Sequence, residues 1–423
     1  MASATEPGLL HVLPRTAERG ADGRLAVGGC ALADVAAEFG TPALVFDERT
    51  LRDTAREYRA AFRERHADTE VHFASKALPC APVLRLLADE GLGCDVASAG
   101  ELAIALAAGF DPAHVLLHGN AKGDRDIADA LAAGVGLIVI DNADDVDRLV
   151  RLGPPAARPQ HVLIRVNPSV PGRTHASVDT GGEEAKFGVP LRDAPALIER
   201  VAGLPGLELL GLHVHIGSQL LDLEGFDRAA QAIAGLGRFP VYDLGGGLGI
   251  SYRPDEQAPS VSEYAEATVR ALHERLDPGA RLIVEPGRSV VGRAGVTLYS
   301  VVTVKRAART HVAVDGGMGD NLEPMLYGTR FAPAILDRER PLEICELVGH
   351  HCESGDVLVH GVALATPEVG DCVLMPVTGA YCYSLMNNYN GARRPPVVIV
   401  KDGDARLAVR RERMSDLFAR DVG

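Results

Sequence analysis

A lysine stands at the end of an apolar run in Phe73-Ala74-Ser75-Lys76-Ala77. Its ammonium is costly to take out of water, so its position asks for a reason. One reading is an amine that forms a Schiff base with a carbonyl compound. The other is a side chain that snorkels to the surface. Farther along, Glu285-Pro286-Gly287-Arg288 sets a carboxylate just before a guanidinium. A carboxylate opposite a pyridine nitrogen keeps that nitrogen protonated and makes the ring an electron sink. An arginine just beyond can hold phosphate or carboxylate. A local ion pair with a turn proline is the plainer alternative.

Other runs add possible partners. Asp243-Leu244-Gly245-Gly246-Gly247-Leu248-Gly249 is a glycine-rich turn whose N–H groups can approach a phosphate. It is not GxGxxG and no GK[ST] follows, so dinucleotide and P-loop sites are not indicated. A tight structural turn also fits. In His213-Val214-His215-Ile216-Gly217-Ser218 two histidines at period two share one face of a strand. No HExxH or cysteine partner accompanies them, so no metal site is expected. An imidazole against a ring, with Ser218 on a phosphate, suits the neighbouring motifs better. Cys352-Glu353-Ser354-Gly355-Asp356 offers a thiol that could protonate a carbanion and a carboxylate that could bind an amine. Gly379-Ala380-Tyr381 adds a phenol that could equally pack in a core.

These residues need elements to hold them. Eight short β-rich runs alternate with Ala/Leu-rich helical runs: Val71–Lys76, Gly93–Ser98, His114–Gly119, Gly136–Asp141, His161–Asn167, Leu209–Ile216, Pro240–Gly245 and Arg281–Glu285. The alternation predicts a parallel sheet with helical crossovers. Eight units over about 250 residues match a closed (β/α)8 TIM-type barrel, with a doubly wound open sheet as the alternative. Lys76, Asp95, His118, Asp141, Arg165, His213, His215 and Glu285 all fall at the C-terminal ends of these runs. Any one could be a cap or a satisfied core residue. Converging on one rim, they mark the face where barrels build sites. After Gly287 the pattern turns to β-runs without crossover helices. The expectation is a barrel over 41–290 and an antiparallel β-sandwich or barrel domain assembled from both chain ends, 1–40 and 291–423.

The 423 residues are 47% hydrophobic and 24% charged, the composition of a globular chain of two or three domains. The formal net charge of −14 points away from nucleic acid and from anionic membranes. No signal peptide is expected from the first residues, and no apolar stretch reaches the ~20 residues of a membrane span. Seven cysteines, an odd number without CxxC, fit a reduced cytoplasmic protein.

Taken in order, FASKA, GCDVASAGEL, LHGNAK, RVNP, KFG, HVHIGSQ, DLGGGLGI, EPGR, DGGMGDN, CESGD and GAY make the chain resemble the diaminopimelate decarboxylases. These are fold-type III pyridoxal-phosphate enzymes related to alanine racemase and ornithine decarboxylase. The resemblance runs from about Pro42 to Arg411. It implies that Lys76 carries pyridoxal 5'-phosphate as a Schiff base, that His215 stacks on its ring and that Glu285 pairs with its ring nitrogen. It implies Ser218, Gly246, Gly247, Gly287 and Arg288 around the phosphate with Tyr381 closing over it, and Asp95, His118 and Arg165 about the cofactor. Arg288 and Tyr327 would hold the far carboxylate of an amino-acid substrate, and Glu353 its far amine. Cys352 would protonate Cα after CO2 leaves. In this family the Cys and Glu of CESGD come from the second subunit, so a homodimer with shared active sites is implied.

One position departs from the family. After Asp320-Asn321 the family has an arginine on the distal carboxylate, and this chain has Glu323. Two carboxylates facing each other repel. Either Arg288 and a neighbour such as Arg330 suffice for diaminopimelate, or the substrate lacks that carboxylate, or Glu323 points elsewhere. A non-catalytic cofactor-binding relative and, more remotely, a metal-dependent barrel hydrolase are the readings from other classes.

Overall fold

The computed structural model describes residues 6–153, 158–170 and 185–422. The chain forms two compact units, one of Thr54–Ile250 and Ala258–Ser289 and the other of Met1–Asp53, Ser251–Gln257 and Val290–Gly423.

The first unit is a closed parallel barrel. Its strands are β1 (Thr69–Ala74), β2 (Gly93–Val96), β3 (Val115–Leu117), β4 (Leu137–Ile140), β5 (Gln160–Asn167), β6 (Leu207–His213), β7 (Val241–Asp243) and β8 (Arg281–Val284). Each pairs in parallel with the next; β8 returns to β1 and closes the ring. The expectation of a (β/α)8 barrel therefore holds. Such strands are covered on both faces, so they read as unbroken apolar runs. Leu-Ile-Val-Ile of β4, buried throughout, is an example. Leu116, Leu137, Val139, Leu163, Val241 and Ile283 pack one layer of the barrel interior.

The helices between the strands follow the sequence pattern. The helix Ala99–Ala108 starts where Ser98 accepts the N–H of Glu101, and Glu101 reaches back to the N–H of Ala97 at 2.8 Å. Two donors otherwise orphaned at the helix start are thereby satisfied. This cap also fixes the loop that leaves β2 beside Asp95.

The second unit is a nine-stranded sheet. Its main path runs Val357–Ala365, Leu342–Val348, Thr310–Val314, Gly295–Arg306, Ala43–Asp47, Val397–Lys401 and Asp404–Val409. The sequence pattern suggested an antiparallel domain; the sheet is mixed. Thr310–Val314 pairs in parallel with Leu342–Val348, and Ala43–Asp47 pairs in parallel with Val397–Lys401. The second pairing joins segments from opposite ends of the chain, so no hairpin turn sets its direction and local pattern carries no sign of it. Leu25, Val27, Leu32 and Val35 from the N-terminal segment pack with Val45, Val296, Leu298, Leu374, Val398 and Val400 in one core. Among the described residues no helix is long and apolar enough to cross a membrane.

Candidate active site

The barrel rim gathers the polar strand ends. Beyond β1 a short 3-10 turn, Ser75–Ala77, presents Lys76. β2 contributes Asp95, β5 contributes Arg165 and β6 contributes His213, while His118 and Glu285 follow β3 and β8 directly. Lys76, Asp95, His118, Arg165, Phe187, His213, His215 and Glu285 line one cavity of about 320 Å³. That is the size of a small-ligand pocket. Asp141 follows β4 and meets Arg165 at 3.9 Å.

Two of these positions are secured from beneath. Lys122, fully buried, donates to Gly119 O at 2.6 Å and Val139 O at 2.8 Å, and pairs with Asp145 at 2.7 Å. Its ammonium thus has an acceptor for each N–H, which a buried lysine requires. The result pins the loop that carries His118. At the other side, Arg165 lies 4.6 Å over the ring of Phe187, a cation–π contact in a dry setting.

Glu285 is the centre of the charges. It is 6% exposed, with His118 Nε2 hydrogen-bonded to Oε1 and His213 Nε2 at 3.3 Å from Oε2. Burial favours the protonated acid, yet the two imidazoles outweigh it and hold the carboxyl well below its usual range. Burial drives His213 down to about 3, so that ring is neutral. Burial, aided by the Lys76 and Arg165 cations, also takes His215 well below the ordinary histidine range. His215 Nδ1 accepts the N–H of Gly246 at 3.2 Å, which leaves the ring proton on Nε2. Asp95 is pushed up to about 6, chiefly by burial and against the pull of His118.

The glycine turn is dictated by close approach. A Cβ on Gly246 would sit 2.1 Å from the carbonyl oxygen of Glu285. Gly247 has φ +113°, and a Cβ there would meet Gly217 O at 2.4 Å. Side chains at these positions would push the turn off β8. Gly287 packs against Ala74 in the same way, a Cβ there lying 3.1 Å from the alanine methyl. Ser218 is half-buried and Arg288 buried at the start of the short helix Arg288–Val291.

The remaining expected residues belong to the other unit. Cys352 is exposed and its N–H donates to Asn390 Oδ1 at 2.8 Å. Glu353, Tyr327 and Tyr381 are half-buried, and Tyr381 has φ +64°. Glu323 is fully buried, with the Tyr252 hydroxyl donating to its Oε2 at 3.1 Å. The structure thus brings Lys76, Asp95, His118, Arg165, His215 and Glu285 together on the barrel. It also reveals two residues to which sequence reasoning gave no role at Glu285, His213 and Asp243. His213 was visible as a rim residue; its contact with Glu285 spans 72 residues of chain. The strand also ends at His213 rather than at Ile216, so His215 lies on the loop above it.

Comparison with known proteins gives the setting. Residues 49–292 match the family model for pyridoxal-dependent decarboxylase, pyridoxal binding domain. The diaminopimelate decarboxylase of Actinosynnema pretiosum subsp. auranticum is 48% identical, over 95% of this chain and 93% of that protein. That of Mycobacterium bovis is 40% identical over 98% and 99%. Among solved structures, diaminopimelate decarboxylase from M. jannaschii in complex with L-lysine matches with a TM-score of 0.91 and 30% identity, over 97% of this chain and 98% of that one. With eight strands, a lysine-bearing rim and near full-length similarity in agreement, this chain belongs to the pyridoxal-dependent decarboxylase family, among the diaminopimelate decarboxylases.

Proposed function

We propose that this chain converts meso-diaminopimelate to L-lysine and CO2 with pyridoxal 5'-phosphate, as a cytoplasmic homodimer. One observation carries the reading: an amine (Lys76), an acid held ionised in a buried setting (Glu285) and a neutral imidazole (His215) line the same cavity. That donor set fits the cofactor. Lys76 would bond its carbonyl carbon, Glu285 would accept its ring N–H, and His215 would face its ring. Ser218, Gly246, Gly247, Gly287 and Arg288 would hold its phosphate beneath Tyr381, and Asp95, His118 and Arg165 would border it. When bound, pyridoxal phosphate supplies the electron sink for the carbanion left by loss of CO2.

The chain's own residues do the rest. Glu285 would favour a proton on the ring nitrogen because its two imidazole contacts hold it ionised despite its burial. Arg288 and Tyr327 would bind the substrate's far carboxylate, and Glu353 of the partner subunit its far amine. Cys352 of the partner subunit would deliver a proton from Sγ to Cα. Glu323 occupies the place of the family's arginine. Its burial and its bond to Tyr252 support the reading of an internal tie within its own unit, which leaves the far carboxylate to Arg288.

The substitution itself favours a second reading, a substrate without a distal carboxylate. Steady-state CO2 release from meso-diaminopimelate, D- and L-lysine, ornithine and arginine decides between them. Turnover of meso-diaminopimelate alone, with L-lysine as product, is expected. No CO2 from it removes the first reading, and turnover of a diamino acid with one carboxylate establishes the second.

A further inference from the structure

Asp243 ends β7, in register with His213 of β6 and Ile283 of β8. It is completely buried. Its Oδ1 accepts the N–H of Gly245 at 2.8 Å. Its Oδ2 is shut off from solvent and meets no N–H or hydroxyl donor, while a carboxyl oxygen lies within 4.8 Å of one of Glu285. Polar atoms of His118, His213, Asp243 and Glu285 all fall within 4.8 Å of one another.

Two carboxyl groups this close and out of water do not both ionise, because their repulsion is unscreened. The surroundings decide which keeps the proton. Glu285 has an imidazole on each oxygen. Asp243 has one backbone N–H. The Tyr264 hydroxyl, from the helix packed against this turn, goes to the carbonyl of Gly245 and not to Asp243. Asp95 is a further acid acting on Asp243, and Arg165 is the cation that faces the group from β5. His213 beside it is neutral.

We propose that Asp243 is a positioning residue that carries a proton and donates it to Glu285, so that the pair holds a single negative charge on the acid lining the cavity. Titration runs the same way: burial and then the Glu285 charge push Asp243 well above the carboxylate range. The protonation state stands on the apoprotein geometry. Only its consequence for the cofactor's ring nitrogen rests on the function proposed above.

Infrared difference spectra of the full-length chain test it, comparing wild type with Asp243→Asn at neutral pH, with and without pyridoxal phosphate. The expected result is loss of one protonated-carboxyl C=O band in the variant. No such loss means that Asp243 is ionised and overturns the proposal. A titration with pyridoxal phosphate gives the second readout. Asparagine keeps a donor toward Glu285 and an acceptor for Gly245, so it should bind within about threefold of wild type. Asp243→Ala keeps neither and should bind about tenfold or more weakly, the size of a lost charge-assisted hydrogen bond. Asparagine as weak as alanine would show that a negative charge at 243 is what matters, and would also overturn it. If the wild type itself fails to bind the cofactor yet the band still disappears in the variant, the cofactor reading fails while this one stands.

Discussion

Both ends of the barrel set histidines against carboxylates, in different surroundings. At the N-terminal end His72 Nε2 lies 3.0 Å from Glu70, and Arg281 closes on the same carboxylate at 3.0 Å. His161 meets Glu208 at 3.3 Å with both side chains about half exposed (49% and 51%). At the other end the corresponding pair, His213 and Glu285, is 1% and 6% exposed. The hydrogen bond from His72, reinforced by the Arg281 charge against burial, draws Glu70 below its ordinary range. At the C-terminal rim Glu285 is likewise held low by its two imidazoles, but the groups around it are driven apart: Asp95 and Asp243 upward, His213 and His215 downward. At the first end these contacts keep partial access to water, with Glu70 28% exposed. At the other end exclusion of water shifts acids and imidazoles in opposite directions.

Substitutions at the two ends should therefore differ in scale. The largest effect is expected from Lys76→Ala: loss of the visible absorbance band of the bound cofactor and of CO2 release to background. A persistent band would place the anchoring amine elsewhere. Next, Glu285→Gln should lower kcat by about 10²–10³, the range for one lost electrostatic contribution at the reacting group; a near-wild-type rate would strip Glu285 of its part. A smaller effect, on stability, follows from Asp95. Burial lifts its carboxyl to about 6 in the fold, against 3.8 for a free aspartate. Its contribution is present below the lower value and fades as pH rises through the higher one, by about 3 kcal/mol. Thermal melts of Asp95→Asn should lose that slope. At the far end Glu70 has the opposite sign, its contribution fading as pH falls through its lowered value. Arg281→Gln there should change stability by about 1 kcal/mol or less and leave kcat unaltered. A large loss of activity from Arg281→Gln would erase the contrast between the two ends.

Much of this was legible in advance because barrel strands announce themselves. Runs such as Leu137–Ile140 are apolar on both faces, and a polar residue closes most of them. What escaped was pairing over distance. Nothing near Ala43–Asp47 tells that Val397–Lys401 will lie alongside it in parallel. Likewise Glu285 could be read as a cofactor-facing acid from its motif, but its bond to His118 joins residues 167 apart in sequence. Asp243 was hidden in plain view. Its glycine neighbours drew attention to the turn, and only the fold shows that its carboxyl group lies near that of Glu285.

The solitary exposure of Cys352 has a practical corollary. Cys372 is half-buried and the other five thiols are buried; burial pushes Cys80 and Cys345 up to about 11 and Cys372 to about 12. Thiols held that far from their thiolate form react sluggishly with electrophiles. A maleimide added to the native protein would therefore decorate one position per chain, and intact-mass spectrometry would count it. In the shared-site dimer proposed above, the same reagent becomes a footprint. Adduct formation slows when two chains associate and slows again when substrate fills the cleft.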